Sequence, residues 1–201
     1  MKLKLKLVIG LTSLLPLAMA GVGYVGLELG IDNQTLSGSN STYIPSAGNF
    51  TTNNVSFIGR VQGGYIFDKY NSIEVGYNYL SGLNYQLPND SSITGSTNVV
   101  DLSYILSIPT MIDNFAVYAR VGAAYDWISA STNDNLLGTP SGSGVVDVLG
   151  AGIKYKIAEN WAWRLEWIGN GILFPMSVTQ GNNTVGTQST QLFLTGINYL
   201  F

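Results

Sequence analysis

The chain has 201 residues with a formal net charge of −3, and 10% of the residues are charged while 46% are hydrophobic. Soluble domains carry about 25% charged residues, so this composition favours a membrane protein, and the acidic balance disfavours nucleic acid as a partner. Cysteine and histidine are absent, which excludes disulfides, zinc sites built on these residues and catalytic triads with a histidine base.

Residues 1–20 have the three-part pattern of a secretory signal peptide. Three lysines lie within the first six residues, a short apolar segment follows, and Ala18-Met19-Ala20 matches an A-x-A cleavage site. The apolar segment is too short for a membrane anchor, and Pro16 would break a helix there. We therefore expect cleavage after this site and export of residues 21–201 as a single barrel domain.

Eight segments with strand character follow, each rich in Gly, Tyr, Val and Leu and close to the length of a tilted membrane strand. The chain is apolar overall, but no apolar run after the leader reaches the roughly 18 residues that a helical span needs. This combination is typical of a β-barrel, in which lipid-facing and lumen-facing residues alternate. The predicted strands lie at residues 21–31, 56–67, 72–83, 98–108, 115–128, 144–157, 161–168 and 190–201.

The connections between these segments alternate in length without exception. An up-and-down barrel with an even number of strands has short periplasmic turns and longer outer loops, which produces this order. The sequence therefore predicts an all-β fold, an eight-stranded antiparallel up-and-down transmembrane β-barrel with both ends of the mature chain in the periplasm. The long connections are residues 32–55, 84–97, 129–143 and 169–189, and the short ones are residues 68–71, 109–114 and 158–160.

Predicted strand five shows how the side chains are sorted between two faces. One parity, which includes Val117, Val121 and Tyr125, is apolar with aromatic residues near both ends. A lipid face flanked by interfacial aromatic girdles has this pattern. The other parity contains Tyr118 and Arg120, so we expect it to face the lumen.

Eight charged residues fall on the lumen-facing parity of the predicted strands. A barrel of eight strands has room inside for side chains rather than for a wide channel, and an unpaired buried charge costs several kcal/mol. We interpret the eight residues as a salt-bridge network that plugs the lumen, and the alternative is a gated ion path. Four are acidic and four basic: Glu28, Arg60, Glu74, Asp101, Arg120, Lys154, Arg164 and Glu166.

Hairpin register gives the expected partners within this set. It places Asp101 beside Arg120 and allows Glu28 to lie beside Arg60. Lys154 is expected opposite or diagonal to Arg164 and Glu166.

Several segments, in this order and spacing, resemble the eight-stranded transmembrane domain of OmpA-type outer-membrane proteins. They are residues 63–80, 117–122 and 163–167, and the closing segment 196–201 is similar to the aromatic-ended strand that the barrel-assembly machinery recognises. The resemblance covers essentially the whole of residues 21–201 and implies an assembly signal at Tyr199 and Phe201.

The resemblance also implies a lumenal pair between Glu74 and Arg164. Two positions depart from the family, because Ile105 stands where the family has a lysine and Lys154 where it has a glutamate. A switch between alternative ion pairs is therefore in doubt. Since the sequence stops at Phe201, we expect no periplasmic peptidoglycan-binding domain and no tether to the cell wall.

The segment Gly21-Val22-Gly23-Tyr24-Val25-Gly26 matches a dinucleotide-binding motif in letters only. Such a motif needs a preceding strand and a following helix, whereas here a leader precedes it and a polar loop is predicted after it. We therefore predict no cofactor and no metal.

These observations favour a non-enzymatic protein of the bacterial outer membrane that supports the envelope. Its outer loops would present surfaces for adhesion or host contact, because loops carry most binding sites on such scaffolds. Expected partners are membrane lipid, lipopolysaccharide, the barrel-assembly machinery and host or surface ligands. The second interpretation is a small porin or ion channel through the lumen. The third, a lipid-modifying enzyme, lacks a histidine and a serine beside a plausible base.

Overall fold

The computed structural model describes residues 21–38, 50–86, 92–132, 140–180 and 183–201, which are almost entirely β-strand. The predicted signal peptide lies outside these residues. The strands are β1 (Val22–Gly38), β2 (Phe50–Ile66), β3 (Asn71–Gln86), β4 (Ser92–Pro109), β5 (Phe115–Thr132), β6 (Pro140–Ala158), β7 (Trp161–Asn170), β8 (Met176–Gln180) and β9 (Asn183–Leu200).

Within the described residues, no helix is long and apolar enough to cross a membrane.

The sheet closes on itself to form a barrel. Consecutive strands from β1 to β7 pair antiparallel, β7 pairs with β9, and β9 pairs with β1 from Tyr24 opposite Leu200 to Ser37 opposite Thr187. The eight strands β1–β7 and β9 therefore form the antiparallel barrel that the sequence predicts. The short β8 was not predicted: it lies within the expected long connection 169–189, where it pairs with β9 and with two residues of β6.

Most strands are longer than the sequence predicts. Except for β7, the barrel strands have 16 to 19 residues. The predicted loop at residues 32–55 was wrong in extent, because β1 continues to Gly38 and β2 begins at Phe50. The added ends consist largely of Asn, Gln, Ser, Thr and Gly. They lack the apolar alternation that signals a strand, but the backbone ladder to the neighbouring strand holds them in place.

The long strands project beyond the membrane at one end of the barrel. The short turns 67–70, 110–114 and 159–160 lie at the opposite end, which is the periplasmic end in barrels of this kind. The 18-residue β4 rises roughly 45 Å at a tilt of about 40°, against an apolar band about 25 Å tall. We call the projecting part the outer rim; its described residues are 33–38, 50–55, 81–86, 92–98, 129–132, 140–144, 176–180 and 183–189.

The outer wall below the rim is the apolar face that the alternation predicts. Val117, Val121 and Tyr125 are exposed on β5, whereas Tyr118 and Arg120 are buried in the lumen. Exposed apolar side chains of this density are tolerated only where lipid or a partner covers them.

Within the described residues, the lumen contains a charged layer, an apolar layer and, nearer the rim, further buried polar side chains such as Asp32, Gln34 and Gln188. Seven charged residues form the layer nearer the periplasm, described below. Above it, towards the rim, lies an apolar layer in which Leu80, Val99 and Leu192 are fully buried. On β2 the charged layer ends at Arg60, and the apolar layer begins two residues away at Ile58. This layer was not predicted from the sequence. Its members are Ile58, Leu80, Val99, Ala124, Val146, Val148, Ile168, Met176, Leu192 and Leu194.

The register between β1 and β9 can be tested by disulfide formation, since the chain has no cysteine of its own. Val25 lies opposite Tyr199, and opposing Cα atoms in an antiparallel pair are about 4.5–5.5 Å apart, within disulfide range. Val25→Cys combined with Tyr199→Cys should form an intramolecular disulfide, measured as a shift in non-reducing gel mobility after boiling.

The matched control combines Val25→Cys with Phe193→Cys. Phe193 pairs with Ile31, six residues from Val25 along β1 and about 20 Å away, so it should not crosslink. Crosslinking in the control but not in the test pair would contradict this closure of the barrel.

Candidate functional site

The charged layer consists of seven side chains that converge on the barrel axis from six strands. Each occupies the lumen-facing parity of its strand, and each side chain is between 0% and 3% exposed. The layer contains Glu28 on β1, Arg60 on β2, Glu74 on β3, Asp101 on β4, Arg120 on β5, and Arg164 and Glu166 on β7.

Glu74 lies at the centre of this layer and contacts all three of its arginines. Its Oε1 accepts a hydrogen bond from Arg60 Nη2 at 3.0 Å and another from Arg120 Nη2. Its Oε2 accepts from Arg164 Nη1 at 2.5 Å and from the hydroxyl of Tyr24 at 2.6 Å. Both carboxylate oxygens are thus held by positively charged or hydroxyl donors, which is what a fully buried carboxylate needs.

Arg60 spans the layer between Asp101 and Glu28. Its two terminal nitrogens donate to the two oxygens of Asp101, at 2.5 Å and 3.1 Å, in the forked geometry that suits guanidinium and carboxylate. Its Nε donates to Gln62 Oε1 at 2.9 Å and lies 3.6 Å from Glu28 Oε2. All of its nitrogens therefore have partners.

Arg164 and Glu166 complete the layer on β7. Arg164 Nη2 donates to Glu166 Oε2 at 2.7 Å, and Arg164 Nε lies 3.3 Å from Glu28 Oε1. Tyr118 donates its hydroxyl hydrogen to the same Glu166 oxygen at 2.7 Å, and Arg164 lies over the Tyr118 ring at 5.1 Å from its centroid. The part of the charged layer that β7 contributes thus combines ion pairing with cation–π contact.

Lys154 stays outside the charged layer. It lies opposite Arg164 in the register, as expected, but its Nζ donates to Ser107 Oγ at 2.9 Å. Among the described residues no salt bridge to Lys154 is found within 4.0 Å, and the expected proximity to Glu166 gives no ion pair. The Glu166 carboxylate is already occupied by Arg120, Arg164 and Tyr118.

The other three expected pairs are present, and one of them forms from a different register than expected. Glu28 lies directly opposite Arg60. Arg120 lies opposite Ile105 and not Asp101, yet its long side chain reaches Asp101 Oδ1 at 3.3 Å. The resemblance-based pair of Glu74 and Arg164 is in direct contact.

Sequence reasoning missed the neutral groups that complete the layer. Tyr24, Tyr118, Gln62 and Asn78 are buried and hydrogen-bonded to its charged members. Their lumen-facing parity was the only available signal, and parity does not say which neutral residue reaches a charge.

A glycine makes room for the largest of these groups. A side chain at Gly76 would collide with the guanidinium of Arg60. The small residue at this inward position is therefore part of the site, because Arg60 could not reach Asp101 past a larger one.

The two residues of the expected assembly signal lie on the outside of the barrel at its periplasmic end. Tyr199 stacks edge-on against Trp161 with ring centroids 5.0 Å apart. Phe201 is 70% exposed, and its backbone N–H donates to Gly23 at 2.9 Å. Both aromatic side chains thus lie at the periplasmic edge of the lipid-facing wall.

Comparison with known proteins agrees with this architecture. Residues 20–169 match the OmpA-like transmembrane domain. The chain belongs to this family. It is 29% identical to Outer membrane protein A of Escherichia coli O157:H7 over 142 residues, which make up 69% of this chain and 38% of that protein. The chain therefore spans little more than a third of that relative's length.

Three crystal structures show the same fold at low sequence identity. Neisserial surface protein A (NspA) has a TM-score of 0.62 at 16% identity, with 89% of this chain and 97% of that one covered. OprG of Pseudomonas aeruginosa has a TM-score of 0.63 at 12% identity, with 91% and 98% covered. Ail of Yersinia pestis, in complex with the heparin analogue sucrose octasulfate, has a TM-score of 0.54 at 10% identity, with 89% and 99% covered.

Family and fold together locate the protein in the bacterial outer membrane. Its apolar outer wall is in contact with membrane lipid there.

The role of Glu74 is tested by Glu74→Gln, which keeps the shape of the side chain and removes its charge. Three arginines would lose their shared carboxylate, and breaking a buried ion pair in this way costs about 3–5 kcal/mol. We expect the free energy of unfolding in lipid vesicles to fall by about that amount, measured by tryptophan fluorescence in urea.

Asp113→Asn is the matched control, because this carboxylate lies on an exposed periplasmic turn. It should change the free energy of unfolding by less than about 0.5 kcal/mol. Equal stability of the Glu74→Gln variant and the wild type would refute a structural role for the charged layer.

Proposed function

We propose that this protein is a non-enzymatic, closed outer-membrane barrel that supports the envelope and uses its outer rim for contact with an external surface. The observation that carries the proposal is the filled lumen beneath a long projecting rim. In a barrel without a passage, only the side chains at its two ends can contact molecules outside the membrane. Of these two ends, the outer one is extended by the long strands.

The two interior layers support a closed lumen. In the charged layer, seven side chains from six strands are bound to each other across the axis. Directly above, Leu80, Val99 and Leu192 have no exposed surface. An ion would have to displace both a paired polar layer and an apolar one, and neither offers a continuous aqueous path.

The outer rim and its loops are nearly free of charge. The sequence between residues 33–55, 81–98, 129–144 and 169–189 contains no lysine or arginine, and its acidic residues are Asp90 and Asp134. The rim instead has many Asn, Gln, Ser and Thr side chains, which are both donors and acceptors of hydrogen bonds. This chemistry fits a neutral, hydroxyl-rich partner such as an uncharged carbohydrate.

A sulfated partner fits the rim poorly. Ail, which shares the fold, has been crystallised with a heparin analogue, and recognition of sulfate groups usually relies on Arg or Lys side chains. The exposed lysines in the described part of the chain, Lys69 and Lys156, lie at the periplasmic end. We therefore place neutral carbohydrate ahead of sulfated carbohydrate as the external ligand.

Two further partners follow from position in the membrane. The exposed aromatic end at Tyr199 and Phe201 is proposed to guide recognition by the barrel-assembly machinery. Contact with lipopolysaccharide would involve mainly its acyl chains, since the rim offers no cation for its phosphates.

A small porin is the second candidate function. A cavity that reaches the charged layer from the periplasmic end is the observation in its favour, because it forms half of a transmembrane path. The outer half would have to open through the apolar layer.

Bilayer recording separates the closed barrel from the porin. The purified, refolded protein should give no steady conductance above that of protein-free bilayers, with heat-modifiable gel mobility as the check on folding. A steady conductance that Glu74→Ala or Arg164→Ala alters would establish the porin and contradict the closed lumen.

If the outer rim binds neutral partners, its affinity for them should not depend on the salt concentration. Protein in nanodiscs should bind immobilised neutral glycans at 0.1 M and 0.5 M salt alike, because hydrogen bonds to neutral groups are little screened. It should not bind heparin.

A double variant with added positive charge serves as the comparison. Ser131→Lys with Thr187→Lys adds charge at two exposed rim positions and should confer salt-sensitive heparin binding. Heparin binding by the wild type, or absence of binding to any neutral glycan, would contradict a rim built for neutral partners.

A further inference from the structure

A cavity of about 500 Å³ opens at the periplasmic end of the lumen. Its mouth lies between the turns that carry Lys69 and Asp113, and its inner end reaches Tyr118 and Arg164 of the charged layer and its neighbours. Ligand-binding pockets have volumes of about 300–1,000 Å³, so the cavity is large enough for a small molecule. We call it the periplasmic vestibule.

The walls of the vestibule are largely apolar. Hydrophobic side chains from β2, β4, β5 and β9 and from the turn between β4 and β5 surround it. Mostly apolar walls with a few polar groups at defined places are typical of small-molecule sites. The main apolar lining residues are Ile66, Ile105, Pro109, Ile112, Phe115 and Leu200.

Lys154 is the polar group best placed to bind a ligand here. An ammonium group has three donors, and in the described structure one of them is directed to Ser107 Oγ at 2.9 Å. Lys154 lines the vestibule, and no described carboxylate forms a salt bridge with it within 4.0 Å. Its remaining donors are therefore available to a molecule in the cavity.

Arg164, the nearest other cation, is differently placed. Its Nη1 donates to Glu74, its Nη2 to Glu166 and its Nε to the Tyr118 hydroxyl. Its charge is already compensated within the charged layer. Of the cations deep in the vestibule, Lys154 is thus the one that a ligand would neutralise.

The charge around the vestibule also favours an anion. Four cationic side chains and one carboxylate line it, namely Lys69, Lys154, Lys156, Arg164 and Asp113. A single point-like ammonium suits a singly charged group better than a phosphate dianion, which is usually bound by several donors or by a forked guanidinium.

We propose that the periplasmic vestibule binds a small organic anion that has one carboxylate and a short apolar body. The carboxylate accepts hydrogen bonds from Lys154 Nζ, and the apolar body packs between Ile105, Ile112 and Leu200. The ligand enters from the periplasm and does not cross the charged layer. This site is separate from the outer rim and does not depend on the function proposed for it.

Hexanoate is a suitable probe, because it is soluble and singly charged at pH 7. Isotope-labelled protein in nanodiscs is titrated with hexanoate while amide chemical shifts are recorded by NMR. Saturable shifts are expected at vestibule residues such as Ile105, Phe115 and Lys154. Lys154→Met keeps the length of the side chain and should weaken binding about tenfold or more, since it removes a charge-assisted hydrogen bond.

Two controls make the result specific to Lys154. Glu159→Gln changes a charge on an exposed periplasmic turn outside the vestibule lining and should change the affinity by less than about threefold. Hexan-1-ol has the same apolar body without the charge and should give only weak, non-saturating shifts from partition into lipid. Heat-modifiable mobility confirms that each variant is folded.

The proposal is overturned by any of three results. These are equal hexanoate affinity in the wild type and Lys154→Met, saturable binding of hexan-1-ol with the same affinity as hexanoate, or shifts confined to residues outside the vestibule. Each would be independent of the glycan-binding result for the outer rim.

Discussion

The cost of burying charge in a narrow, lipid-enclosed tube is the constraint on which this structure depends. Three guanidinium groups and four carboxylates lie within the charged layer with almost no exposed surface. Removing ions from water costs several kcal/mol each, and only close ion pairs with further hydrogen bonds offset that cost. Neighbouring strands must therefore pair in one register, because a shift by one residue would turn a charged side chain towards lipid.

This constraint explains why the neutral partners matter as much as the ions. Tyr24 and Tyr118 each donate a hydroxyl hydrogen to a carboxylate, and Gln62 lies between Arg60 and Glu28. Gly76 leaves the space through which Arg60 reaches Asp101. The layer is thus one connected polar unit and not a sum of isolated pairs, and within it Glu28 Oε2 and Arg120 Nε are buried without a hydrogen bond.

Sequence patterns predicted the barrel because its wall has two chemically different faces. Alternation of Val117 with Tyr118 and of Val121 with Arg120 identifies the strand and its inward side. The same rule fails at the rim, where most residues of both parities are polar, so that no contrast remains between the two faces. There the strands are defined by the backbone ladder alone.

The lumen was predicted in part for a related reason. Parity identified all seven members of the charged layer, but it also placed Lys154 among them, since side-chain reach and competition for Glu166 cannot be read from spacing. The apolar layer escaped attention because Leu80 and Val99 look like lipid-facing residues in composition. Leu80 nevertheless shares its parity with Glu74, and Val99 with Asp101, so the alternation that placed the charges inside also points these two residues inward.

Because backbone pairing holds the outer rim together, the rim tolerates amino-acid substitutions during evolution. Main-chain hydrogen bonds require no particular side chain, so substitutions at exposed rim positions such as Ser131 or Thr187 remove little of what keeps the barrel folded. The membrane-embedded part, by contrast, is fixed by interlocking charges. The outer part can therefore vary in sequence while the anchor beneath it stays constant.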